Sequence, residues 1–516
     1  MQMSLVRAAS TRLSSRINTK GALAALAFVL LLGVSACHAT PRATVIPASR
    51  AAGGISQLQR DIEAILAAPT LTRSYWGVLV RSAKNDDTLY SLNPGKLLMP
   101  GSTMKIVTLA AAAERLGWPY VYDTRLVAAG PIDAGVLNGD LVVVGSGDPS
   151  ILDGEAVASG VFDSWAETLK ANGVRTITGR IIGDDNAFDD ETLGPGWAWD
   201  DLAGRDAAGV SALQYNENTV QATISPGAAI GAEARVRFAP PGGGLDLDNE
   251  LTTAAPGTVP SIVASRLAGS PRLQLRGSIA LASEPIVRIL SVDNPTMFFV
   301  TVFRDTLISH GIEVRGPAVD VDDVTGAPPA GDGAVLSIHH SPPLSTLAMR
   351  LMKNSVNLYG ETLLKTIGAT AGAPTFEGGR MAAAATLQPW GVSPAGVVQV
   401  DGSGLSRYNY VTAETLVTVL MHVERNERLR GPFEASLPVA GRDGTLAGRM
   451  KGTAAEGNAR AKSGTLANVR SLAGYVTNAD GEPLVFAIVA NNFGTMPEVA
   501  IAAIDAIVVK LAEFKR

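Results

Sequence analysis

Three short segments carry side chains that could together run acyl transfer. The first, Met99-Pro-Gly-Ser-Thr-Met-Lys-Ile-Val-Thr108, holds the only Ser-x-x-Lys of the chain, Ser102 and Lys105. The second, Lys353-Asn-Ser-Val-Asn-Leu-Tyr-Gly-Glu361, offers Ser355 and Asn357. The third, Arg460-Ala-Lys-Ser-Gly-Thr-Leu466, offers Lys462, Ser463 and Gly464. A hydroxyl attacks a carbonyl only when something takes its proton, and a neutral lysine amine can do so. A free lysine, with a pKa near ~10.4, is neutral in roughly one molecule in a few thousand at pH 7. Lowering that pKa by about 3 units takes on the order of 4 kcal/mol, from burial and a nearby like charge. The chain must therefore bring a second cation close to Lys105.

The elements that would position these groups can be read from apolar spacing. Ile106, Leu109, Ala110 and Ala113 recur at i, i+3, i+4 and i+7 and predict a helix, with Pro100 before it and Gly117 and Pro119 after it. Ser102 and Lys105 then share a face of its first turn, where unpaired N–H groups favour developing negative charge. Residues 76–81 and 88–92 read as strands joined by a turn at Lys84-Asn-Asp-Asp87. Residues 470–476 and 483–491 read as a hairpin turning at Asn478-Ala-Asp-Gly481, which places Lys462 on an edge strand. Helical patterns cover 298–311, 343–367 in two pieces, 412–425 and 497–514, and Ser355 lies near a short turn in the second of these. Between about 120 and 290 the chain changes to short strand-like runs such as Leu141-Val-Val-Val144, with one better helical stretch over 151–172. Leu273 and Leu275 alternate there with Arg272, Gln274 and Arg276, the pattern of a half-buried strand. The simplest organisation is a catalytic domain assembled from 55–119 and 291–516, with a β-rich region of two nested domains inserted over 120–290.

The 516 residues carry a formal net charge of −5, mixed along the chain, with no long basic run. That excludes a nucleic-acid partner. Arg7, Arg12, Arg16 and Lys20 precede an apolar run over 22–34 that has the layout of a secretory signal. The run ends in Val34-Ser-Ala-Cys37, and Cys37 is the only cysteine. This resembles the bacterial lipobox, so 1–36 is expected to be a signal peptide and Cys37 a lipidation site. Residues 37–54 would then be a flexible tether holding the enzyme on the periplasmic face of a bacterial membrane. An ordinary cleaved signal with an incidental cysteine is the alternative. No second apolar stretch is long enough to cross a membrane. The five histidines, His38, His310, His339, His340 and His422, lack metal-site spacing. Gly242-Gly-Gly-Leu-Asp-Leu-Asp-Asn-Glu250 is a single copy of a calcium-like nonapeptide, and such sites need stacked repeats. No metal and no cofactor are expected.

The order Ser-x-x-Lys, Ser-x-Asn, Lys-[Ser/Thr]-Gly is that of penicillin-binding proteins and serine β-lactamases. About half the chain separates Ser102 from Ser355. With that gap, the chain resembles the class C low-molecular-mass penicillin-binding proteins, the D-alanyl-D-alanine carboxypeptidase/endopeptidase family. Gly139-Asp-Leu-Val-Val-Val-Gly-Ser-Gly-Asp-Pro149, Gly194-Pro-Gly-Trp-Ala-Trp-Asp-Asp201, Asp401-Gly-Ser-Gly-Leu-Ser-Arg407 and Gly441-Arg-Asp-Gly-Thr445 are also similar to that family. Ser463 stands where many members have Thr.

The resemblance implies an α+β fold. Its core is a serine β-lactamase/penicillin-binding transpeptidase-like domain, helices around an antiparallel sheet, with inserted β-rich domains. It implies a serine-type D-Ala-D-Ala carboxypeptidase, with endopeptidase action possible on the same peptidoglycan stem peptides, that β-lactams acylate. Ser102 would be the nucleophile, Lys105 its proton acceptor, and Lys462 the second cation that keeps Lys105 partly neutral. Ser355 would relay a proton to the leaving amine, and Asn357 would hold the substrate amide. The backbone N–H groups of Ser102 and Thr465 would form the oxyanion hole, and Ser463, Gly464 and Thr465 would meet the substrate. Arg407 would meet a free carboxylate of diaminopimelate, with Asp184 or Asp185 as candidates for its amine. A β-lactamase and a non-catalytic wall-binding lipoprotein are the competing readings. No oligomeric state follows from the sequence.

Overall fold

The computed structural model describes residues 50–152, 160–241, 243–325 and 333–516. The expected signal peptide, Cys37 and most of the tether lie outside the described residues. Helix α1 (Arg50–Leu66) occupies the last positions expected of the tether. Leu58 and Ile62, four apart on one face, are buried and fix it to the body.

The catalytic sheet has five strands in the order Thr88–Leu92, Tyr75–Ser82, Pro483–Asn491, Val469–Thr477, Arg460–Leu466. All its pairings are antiparallel. Alternation along the strands separates two cores. Val78, Val80, Phe486 and Ile488 face a cluster that includes α1, while Leu79, Val485, Ala487 and Val489 face another. The second cluster contains helix α2 (Met104–Leu116), buried from Met104 through Ala113. Its run of four alanines lets neighbouring helices approach on every side.

The chain then leaves this body. Strands Asp123–Ala129, Asp140–Val144, Ile181–Asp184, Ala318–Asp320 and Ala334–His340 make a second five-stranded sheet. Two three-stranded sheets lie within the same stretch, one of them built on Arg272–Ala280, where Leu273 and Leu275 are buried as their alternation predicts. Helices α3 (Val161–Ala171) and α4 (Pro295–Ser309) share an aromatic core in which Phe162 stacks on Tyr215 and meets Phe299 edge-on. This moves a boundary. The return to the catalytic body was expected at 291, but α4 and the strands at 318–320 and 334–340 belong to the inserted core, so the return comes after His340.

From there α5 (Leu344–Lys353), α6 (Asn357–Ala369), α7 (Phe376–Leu387), α8 (Ala413–Arg425) and α9 (Glu427–Ser436) surround α2. Helix α10 (Pro497–Glu513) closes the other sheet face beside α1. No helix among the described residues is long and apolar enough to cross a membrane. The inserted region is tied down where it meets α5 and α6. Lys365 Nζ donates to Asp189 Oδ1 (2.5 Å), Gln214 Nε2 to Thr362 Oγ1 (3.0 Å), and Arg350 Nε to Glu217 Oε1 (2.5 Å).

Candidate active site

Ser102 sits in a short 3-10 turn, Gly101–Thr103, that runs straight into α2. The turn is clamped to the catalytic sheet. Pro100 O accepts from Thr103 Oγ1 (2.8 Å) and from Ser471 Oγ (2.6 Å). Asn491 bonds the backbone of Met99 in both directions, at 2.7 and 3.0 Å. Gly101 has a φ of +54°, and a methyl group there would lie 2.9 Å from Thr465 N. A methyl on Gly464 would strike Ser471 Oγ and Pro100 O and would stand 3.1 Å from Ser102 N. The two glycines thus let the edge strand approach the Ser102 turn backbone to backbone. Thr465 N lies close to Gly101 and Ser102 N close to Gly464 across this contact.

Lys105 is fully buried on the first turn of α2. Its Nζ lies 2.8 Å from Ser102 Oγ, 2.6 Å from Asn357 Oδ1 and 3.0 Å from Ser403 O. Asn357 is the first residue of α6, and its Nδ2 donates to Asp206 O (2.8 Å) of the inserted region. Both ends of that carboxamide therefore have protein partners. Between α5 and α6 the chain turns sharply at Ser355, whose φ is +59°. That left-handed conformation is strained for a residue with a Cβ. It aims Ser355 Oγ at Lys462 Nζ, 2.9 Å away; the amine also donates to Ser463 O at 2.8 Å. Lys462 is buried, and its strand, Arg460–Leu466, is the sheet edge as expected. Ser463 Oγ donates to Thr445 Oγ1 (2.7 Å), and Thr465 is exposed next to it.

The electrostatics differ from the expected scheme in one respect. Burial lowers Lys105 from 10.5 to about 8, while the charges of Glu361, Asp401 and Asp206 hold it up. Lys462 is pushed well below the usual lysine range by burial and then by the charge of Lys105. Desolvation, not the charge of Lys462, is the cause that lowers Lys105. At pH 7 a pKa of about 8 leaves roughly one amine in ten neutral, about two hundred times more than in a free lysine.

The five expected catalytic side chains form two bonded sets, Ser102–Lys105–Asn357 and Ser355–Lys462, and the charge of Lys105 acts on Lys462. Arg407, half-buried, lies on the loop that begins at Asp401. The carboxylates expected to accompany it do not. Asp185 accepts from Ser211 Oγ and Thr296 Oγ1 and lies with Asp320 and Asp322 inside the inserted region; Asp184 accepts from Asn186. The acid in the field of Arg407 is Asp201, whose pKa is raised by burial and by Asp200 and is drawn down by Arg407. Its loop is pinned beside the site, because Trp197 Nε1 donates to Asp401 Oδ2 (3.0 Å) and a methyl on Gly196 would strike the Tyr408 ring. Sequence reasoning assigned no role to Asp201, Thr445 or Glu361. Glu361 was visible in principle, four residues after Asn357 and hence on the same face of α6.

The chain is similar to several proteins over almost its whole length. A D-alanyl-D-alanine carboxypeptidase of Actinomadura sp. (strain R39) is 36% identical over 506 residues, 95% of this chain and 90% of that protein. The crystal structure of penicillin binding protein 4 (dacB) from Haemophilus influenzae superposes with a TM-score of 0.75 at 26% identity, covering 89% of this chain and 98% of that one. The same Haemophilus influenzae protein complexed with a β-lactam superposes at 0.70 and 25% identity with the same coverage. The expected α+β penicillin-binding fold is thereby shown. Residues 58–514 match the family model described as the D-Ala-D-Ala carboxypeptidase 3 (S13) family, and the chain belongs to that family.

Proposed function

We propose that the chain is a serine-type D-Ala-D-Ala carboxypeptidase that works through an acyl-enzyme on Ser102. The observation that carries this reading is Lys105 Nζ, fully buried and 2.8 Å from Ser102 Oγ. The activity of the Actinomadura relative and the β-lactam complex of the Haemophilus influenzae protein support it. Ser102 Oγ attacks the carbonyl of the terminal D-Ala–D-Ala bond, and its proton passes to Lys105. The oxyanion forms against the N–H groups of Ser102 and Thr465; each such donor is worth about 2.7–4 kcal/mol where tested. Collapse breaks the C–N bond, and the leaving amine takes a proton through Ser355, which Lys462 holds at 2.9 Å. Water then hydrolyses the ester. Ser463, Gly464 and Thr465 line the strand that faces the substrate's terminal carboxylate. Arg407 and Asp201 offer a cation and an anion to the zwitterionic end of a diaminopimelate side chain.

Mass spectrometry of a purified muropeptide mixture tests this. Loss of one alanine from pentapeptides is the expected result, and release of monomers from cross-linked dimers would add endopeptidase action. Unchanged muropeptides, or rapid nitrocefin turnover in place of stable penicillin labelling, would overturn the reading.

The proposal includes anchoring on the periplasmic face of a bacterial membrane through lipid on Cys37. A Cys37→Ser protein is expected to move from the membrane to the soluble fraction with its penicillin labelling intact. Continued sedimentation with membranes would count against the anchor.

A further inference from the structure

We infer that Glu361 is a positioning residue for the acylation step, fixing the loop that holds Lys105 and setting the charge around its amine. The inference rests on the serine mechanism proposed above. Glu361 lies one turn beyond Asn357 on α6 and is 0% exposed. Its Oε2 accepts from Gly402 N (2.6 Å) and its Oε1 from Ser403 N (2.9 Å). Those two amides belong to the turn whose Ser403 carbonyl accepts from Lys105 Nζ at 3.0 Å. One carboxylate therefore grips the backbone that presents an acceptor to the catalytic amine.

The turn has no room to reposition itself. A methyl on Gly402 would lie 2.0 Å from Gly360 O, and one on Gly404 1.9 Å from Gly101 O, next to the nucleophile. Bare backbone thus packs between α6 and the Ser102 turn. Asp401 secures the far side, accepting from Gly404 N (2.7 Å), Ser406 N (2.6 Å) and Asn409 Nδ2 (2.7 Å). A buried carboxylate is costly, and an uncharged residue of the same shape would fill the space without that cost. Here burial and the charge of Asp401 raise the Glu361 carboxyl from 4.5 to about 8, and the two backbone N–H donors and Lys105 draw it back toward the ionised form.

The charges facing this pair come from several elements. Lys105 is on α2, Asp401 on the loop, Asp206 on the inserted region, Lys462 on the edge strand and Lys365 one turn further along α6. Glu361 and Asp401 raise the pKa of Lys105 against desolvation. The amine thus becomes basic around pH 8, not far below it.

The test is the rate of acylation by benzylpenicillin from pH 5.5 to 9.5. In the wild type the rate should rise through about pH 8 as Lys105 loses its proton. Glu361→Gln keeps the size and one acceptor but removes the negative charge that the Glu361 carboxyl gains around pH 8 beside the amine, so Lys105 loses its proton more readily there. Its midpoint should move about 0.5 pH unit or more toward acid, and its plateau should fall about 10- to 100-fold as the loop relaxes. Glu361→Asp keeps the charge but shortens the reach; its midpoint should stay in place while its plateau falls about 10-fold. A Glu361→Gln midpoint identical to that of the wild type overturns the inference, whatever the rate. So does a Glu361→Asp plateau equal to the wild type, and that outcome decides alone if the Gln variant does not fold. A wild type that is never acylated at Ser102 would instead defeat the mechanism itself.

Discussion

A Ser102→Ala protein is expected to carry no covalent label from a fluorescent penicillin and to lose D-alanine release by about 10⁴-fold or more. The substitution removes one half-buried oxygen and leaves the rest of the pocket in place. Lys105 keeps Asn357 Oδ1 and Ser403 O as partners, so no buried donor is stranded. The melting temperature should therefore stay close to the wild type, and the loss can be assigned to chemistry, not to folding. Intact-mass spectrometry after incubation with benzylpenicillin reads the outcome directly. A mass increase in the Ala variant would place the nucleophile elsewhere.

Lys105→Met should cost about 10²- to 10⁴-fold in the acylation rate, the range for a lost general base. Methionine approximates the lysine stem in volume, so the buried space in α2 stays filled. Two opposed terms decide stability. Asn357 Oδ1 and Ser403 O lose their donor, at about 1–3 kcal/mol each. Against this, the fold no longer buries an ammonium group, which itself costs several kcal/mol. The variant should consequently fold, and its residual acylation should lose the rise through about pH 8 that the wild type shows. A Met variant that keeps this pH dependence would assign the titration to another group, with Glu361, raised to about 8 by burial, the first to examine.

The parts of this site that were legible in the sequence are those whose signal is local. Ser102 and Lys105 are three residues apart, and the apolar spacing of 106, 109, 110 and 113 fixes their helix. Lys462 precedes a hairpin with a clear turn, which puts it on a strand at the sheet edge. What could not be read depended on distant partners. Helix α4 is apolar on most of its circumference, with Phe298, Phe299, Val300, Val302 and Phe303 all buried, so its pattern does not say which core it serves. That is why the pattern alone puts the return to the catalytic body too early. Helix α9 carries Pro432 inside it, a residue that argues against a helix until packing overrides it. The sequence points to 184 and 185 for the acid accompanying Arg407, because only folding brings the 194–201 loop against Tyr408. The main cause of the lowered Lys105 pKa, its burial among α2, α6 and the 401–404 turn, is likewise a property of packing.

The catalytic sheet has a consequence for how the protein matures. Strand Tyr75–Ser82 pairs along its whole length with Pro483–Asn491, and Ser82 Oγ donates to Glu482 across 400 residues of chain. Ser102 emerges early in synthesis, yet the clamp of its turn at Ser471 and Asn491, and Lys462 of the edge strand, are made much later. Contacts of such wide separation form slowly, since the loop between them must close first. The growing polypeptide therefore stays inert until its final strands have been delivered. Until then the apolar strand at 75–82 lacks its Pro483–Asn491 partner, and an unpaired edge of this kind favours aggregation.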